Sequence, residues 1–216
     1  MVGIIAFGCI VMSFVDYIIS PDYYIKAIVK LVLFLALPML YFYFNKNSDF
    51  KSLFVFKKGQ AKILFLIGVA IFTIIVGGYF LLGSFFDLSN ITKALESDIG
   101  VNKNNFIMVS FYIAIVNSFL EEFFFRGFAF LELKKLSNRN YAMIMSATFF
   151  ALYHIAMVAN WFDIILVLLV TIILFIGGLL FNFINEKSNN IYSSWIVHMF
   201  ANLGINFIGY ILFGII

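Results

Sequence analysis

Glu121, Glu122 and Arg126 stand inside an apolar stretch, FYIAIVNSFLEEFFFRGFAFLEL. A carboxylate so placed can take a proton from water, and an imidazole or amide nearby can donate to the oxygen that turns negative when a carbonyl is attacked. The two histidines of the chain lie in two further apolar stretches: His154 in FFALYHIAMV and His198 in SSWIVHMFANLG. Each has a companion four residues away, Phe150 before His154 and Asn202 after His198. Residues four apart share a helix face. Glu122 is therefore expected to pair with Arg126, Phe150 to pack on the His154 imidazole, and His198 and Asn202 to present their donors together. Glu121 is turned about 100° from Glu122 and is expected to be unpaired, pointing into the middle of a bundle.

A charge near a bilayer centre costs about 2.5–3.5 kcal/mol even on a lenient insertion scale. Three such charges in one stretch must therefore face protein or water. Taken alone, Glu122 and Arg126 read equally well as a buried ion pair that fixes packing. A lone histidine in a membrane helix is most simply a helix-to-helix hydrogen bond. Two histidines, an asparagine and a second glutamate on three helices read better as a site.

The elements that hold these residues follow from composition. The chain has 216 residues, 64% hydrophobic and 12% charged, with mean hydropathy +1.06. Soluble domains carry roughly 25% charged residues, and a chain this size has too little interior to hide so much apolar surface. The fold class is all-α, a polytopic transmembrane bundle of about seven helices, because about 20 apolar residues make one span. The stretches are 2–20, 24–44, 63–86, 106–131, 140–158, 163–185 and 191–216, read as a single membrane-embedded domain over 1–216. The first stretch lacks a basic start and is expected to be an uncleaved membrane helix. Pro38 is expected to kink the second. Cys9 is the one cysteine, which leaves no intrachain disulfide. Net charge is +3, but the basic residues sit mostly in short loops, so nucleic acid is not a partner.

Loop charge gives the orientation. Lys46, Lys51, Lys57, Lys58 and Lys62 face Asp49 in the 45–62 connection, and Lys134, Lys135 and Arg139 face Glu132 in the next basic loop. The positive-inside rule makes these loops cytoplasmic and the N-terminus inside; Lys26 and Lys30, near the outer end of the second stretch, point the other way. Counted from the cytoplasmic ends at 1.5 Å per residue, Glu121 lies about 15 Å deep, His154 about 20 Å and His198 about 10 Å, a common layer near the midplane. Trp161 and Trp195 near helix ends read as interfacial anchors, and Gly177-Gly178 as small-residue packing.

These residues carry a resemblance. EEFFFR (121–126), FALYH (150–154) and HMFAN (198–202) match, in order, the EExxxR, FxxxH and HxxxN motifs of the CPBP family, the CAAX proteases and bacteriocin-processing (Abi) enzymes. The resemblance implies an α-helical intramembrane endopeptidase in which Glu121 and His154 activate a water, His198 and Asn202 stabilise the oxyanion, and Glu122, Arg126 and Phe150 support them. Relatives often carry eight membrane helices, whereas seven stretches are found here. The family was long described as metalloproteases; zinc would be held by His154, His198 and Glu121 or Glu122 with water in the fourth place. There is no HExxH, and Glu121 does not readily serve as ligand and base together, so a metal-free glutamate protease is favoured, with no cofactor. The expected partners are the lipid bilayer, in keeping with a bacterial cytoplasmic membrane, and a peptide or membrane-protein substrate; the sequence does not speak to oligomeric state. The competing readings are a non-catalytic immunity or regulatory scaffold and a proton-coupled transporter.

Overall fold

In a computed structural model, which describes residues 1–45, 50–56 and 58–216, seven helices are long and apolar enough to cross a membrane. They are Val2–Ile19, Tyr23–Phe44, Ala61–Phe85, Phe106–Leu136, Arg139–Val158, Ile164–Ser188 and Tyr192–Leu212, called the first to seventh spans. Lys46, Asp49 and Lys57, and the side chain of Lys58, lie outside the described residues. The all-α bundle predicted from hydropathy is the architecture found.

Three ends differ from expectation by three residues or more, the sixth span running to Ser188 and not 185. The fourth span continues past 131 to Leu136, because buried Glu132 is neutralised by Lys135 at 2.7 Å one turn on. The seventh stops at Leu212: Gly214 adopts φ +60, and Ile215 N–H donates back to the Tyr210 carbonyl, a glycine-terminated helix end. The connection at 87–105, read as a balanced loop, contains a helix, Ser89–Ile99. Its Leu95 and Ile99 pack against the small cluster of Val101, Phe106, Val109 and Phe213.

The fifth and sixth spans start at capping side chains. Asn138 accepts from the Tyr141 N–H, and Asp163 from the Ile165 and Leu166 N–H groups, filling the orphan donors of a helix N-terminus. The irregularity expected at Pro38 takes the form of a widened, π-type turn over Val32–Ala36 immediately before it, so that the proline falls in the first turn of regular helix. π-type backbone also occurs at Val15–Ile19, Ile113–Asn117 and Glu122–Glu132. Such turns concentrate at functional sites, and here two of them flank Glu121.

The fourth span is the axis of the molecule: every residue from Glu122 to Leu133 is buried. Phe34 of the second span stacks on Phe124 at 4.3 Å, and Ser146 of the fifth donates to the Phe125 carbonyl and to Asn182 of the sixth. The third span runs along the seventh, where a side chain at Gly68 would meet the Phe200 ring at 2.4 Å. Outward faces carry Ile10, Ile28, Ile74, Leu81, Ile165 and Ile172, all exposed, as lipid contact requires.

The candidate active site

Glu121 stands midway along the fourth span, fifteen residues from either end, whereas His154 is four residues from the end of the fifth and His198 six from the start of the seventh. Staggering of the helices, not equal depth from their ends, brings the three together. Oε2 of Glu121 lies 3.8 Å from His154 Nε2 and 3.7 Å from His198 Nε2. These distances exceed a direct hydrogen bond, and all three atoms face a common point.

The far side of each ring decides what the near side offers. His154 Nδ1 is 2.6 Å from the Phe150 carbonyl; a carbonyl only accepts, so Nδ1 carries the proton. His198 Nδ1 is 2.8 Å from Glu122 Oε1, which likewise makes it the donor. With neutral rings, both Nε2 lone pairs and Oε2 are acceptors, and a water placed among them donates its protons inward and turns a lone pair outward. Ring packing fixes the imidazoles: Phe150 lies edge-on to His154 at 4.6 Å, and Phe181 stacks on His198 at 5.1 Å.

Glu122 is a hub. Besides His198 it accepts from the Ser194 hydroxyl, and Arg126 Nη1 lies 3.3 Å from Oε1. The expected Glu122–Arg126 pair is present, but the guanidinium is fully buried, and none of its nitrogens has a hydrogen-bond partner among the described residues. It is sandwiched against rings instead, 4.1 Å from the Phe150 centroid and 4.9 Å from Phe181, a cation–π arrangement. Phe150 thus touches both His154 and Arg126.

The expectation of an unpaired Glu121 is corrected. Lys30 of the second span donates to Oε1 at 2.5 Å, and also to Asn117 Oδ1 and the Tyr153 hydroxyl. Asn117 and Tyr153 in turn donate to Oε1. Sequence reasoning counted Lys30 as a topological charge. The signal that identifies it is the one used for Glu121: a charge set among apolar residues, here IVKLVLF, needs a partner. Lys26 likewise turns inward, 3.4 Å from buried Asp16, so neither lysine is a loop charge.

Asn202 lies on the same helix face as His198 and gives one amide hydrogen to the Ile113 carbonyl at 3.2 Å, the other having no partner among the described residues. Trp195, read as an interfacial anchor, spends its indole N–H on the Ile115 carbonyl and Ser118 hydroxyl of the fourth span. A side chain at Gly178 would press on Ala147 and Phe150, whereas one at Gly177 would meet nothing within 4 Å among the described residues. The sixth span runs through both without interruption.

An ammonium already sits on Glu121, where it would repel a dication.

A cavity of about 130 Å³ is lined by Lys30, Asn117 and Tyr153, the partners of Glu121, together with residues that include Ser20, Asp98, Asn160 and Trp161.

Residues 103–204 match the family model of the Rce1-like type II CAAX prenyl endopeptidases. All three motifs fall within this segment, which is similar to the CAAX proteases (CPBP family). No curated protein and no solved structure matches the chain.

Proposed function

We propose that this chain, carrying a CAAX protease segment within a seven-helix membrane protein, is an intramembrane endopeptidase of the metal-free glutamate type. The observation that carries the reading is the convergence of His154 Nε2 and His198 Nε2 on one oxygen of Glu121. Glu121 and His154 hold a water and remove its proton as the oxygen attacks the scissile carbonyl carbon. The carbon–nitrogen bond then breaks, and the proton passes to the leaving amine. The Asn202 amide and His198 stabilise the oxyanion. To donate through Nε2 the His198 ring must carry a proton there, while its Nδ1–H is held by the Glu122 carboxylate at 2.8 Å. The apolar walls supplied by Phe150 and Phe181 exclude bulk water and strengthen each of these interactions.

The substrate is a peptide or membrane-protein segment, entering by the cavity beside Lys30. The protein sits in a cytoplasmic membrane with the N-terminus inside. Purified chain in lipid nanodiscs, given a prenylated CAAX peptide and a panel of apolar peptides, is expected to release products in a reaction that chelator does not stop. Glu121→Gln and His154→Ala should abolish it. Cleavage that persists in Glu121→Gln removes this reading, and activity restored to a chelated sample by zinc removes the metal-free part of it.

A further inference from the structure

We infer that Lys30 is a positioning residue of this site: its ammonium holds Oε1 of Glu121 so that Oε2 alone is presented to His154 and His198. The inference rests on the hydrolytic reading above. An ammonium has three N–H donors, and Lys30 directs one each to Asn117 Oδ1, Glu121 Oε1 and the Tyr153 hydroxyl, all at 2.5 Å. The two neutral partners are themselves tied to the same oxygen, Asn117 Nδ2 at 3.1 Å and Tyr153 at 3.3 Å. Oε1 therefore receives three donors from three spans, while Oε2 faces the imidazoles. The carboxylate plane is set by this closed triangle.

The location gives the triangle its consequence. Lys30, Asn117 and Tyr153 line the cavity and Glu121 does not, so they stand between Glu121 and the space through which a substrate would come. With the ammonium removed, the carboxylate is free to swing toward that space and away from the point shared with the two rings. Lys26, whose distance to Asp16 is 3.4 Å, has no comparable connection to Glu121 and marks Lys30 as the lysine that matters.

The test uses the full chain in nanodiscs with a prenylated CAAX peptide as probe. Lys30→Ala is expected to lower kcat by about 10²-fold, the cost of an ångström-scale misplacement. KM should stay within about threefold, and added methylammonium, which fits the vacated space, should restore kcat saturably by about tenfold. Unchanged kcat overturns the inference, and so does a loss that methylammonium does not relieve. Should Lys30→Ala not fold, Tyr153→Phe removes one corner of the triangle at nearly constant volume, and kcat should fall without a change in KM; an unaltered kcat there overturns the inference equally. A wild-type chain that cleaves nothing defeats the protease reading instead. In that event the infrared band of the Glu121 carboxylate, identified by its loss in Glu121→Gln, still decides: it must shift in Lys30→Ala, and a fixed band rejects the positioning role.

Discussion

Glu122 Oε1 lies 2.8 Å from His198 Nδ1, which ties the second glutamate of the pair to the ring whose other nitrogen lies 3.7 Å from Glu121. Glu122→Gln keeps the shape but leaves fully buried Arg126 without a counter-charge. Removing one partner of a buried ion pair costs about 3–5 kcal/mol, and losing the group that orients a working histidine costs about 10–100-fold in activity by analogy with outer-shell partners. Thermal melts and cleavage rates in detergent should separate the two effects. Adding Arg126→Met should recover stability and leave activity low; recovery of both would refute the assignment.

Phe150 serves two neighbours at once, its ring lying against both His154 and the Arg126 guanidinium. Phe150→Ala should destabilise the protein by about 3–5 kcal/mol, as for a buried aromatic, and also lower kcat. Phe150→Leu should regain most of the stability while kcat stays depressed, read by melting temperature against rate.

Asn202 has one amide hydrogen committed to Ile113 and one to offer an oxyanion. Asn202→Ala is expected to lower kcat by about 10²–10³-fold, the usual loss on deleting such a donor, with KM little changed in steady-state kinetics. A fall confined to KM would assign Asn202 to substrate binding instead.

Gly68 is a packing position between the third and seventh spans. Gly68→Ala places a methyl 2.4 Å from the Phe200 ring, overpacking that should cost about 1–3 kcal/mol. Pairing it with Phe200→Leu should restore the melting temperature, and no destabilisation in the single variant would show that the two spans separate without cost.

Sequence reasoning reached the spans because twenty-residue apolar runs leave little freedom in lipid. It also reached Glu122–Arg126 and Phe150–His154, since each pair lies one helical turn apart. What it could not reach are contacts between distant spans. Nothing in the spacing of Lys30 and Glu121 ties them together, and Ser194 gives no local sign that its hydroxyl serves Glu122. The span bounds already put His154 four residues from the end of its helix, but counting along single helices does not show the stagger that brings the three site residues together. Helix Ser89–Ile99 was missed although Ile91, Ala94, Leu95 and Ile99 of SNITKALESDI recur at helical spacing, because it is too short and too polar to count as a span of about 20 apolar residues.

The link between the second and fourth spans also bears on how the chain is made. Lys30 enters the bilayer long before Glu121 has been synthesised, and an ammonium alone in hydrocarbon costs about 2.5–3.5 kcal/mol. The early hairpin of the first two spans is therefore marginal by itself until the fourth arrives with its carboxylate. A nascent chain arrested before Ser118 should leave its second helix readily extractable from the membrane, whereas one arrested after Leu136 should hold it fast.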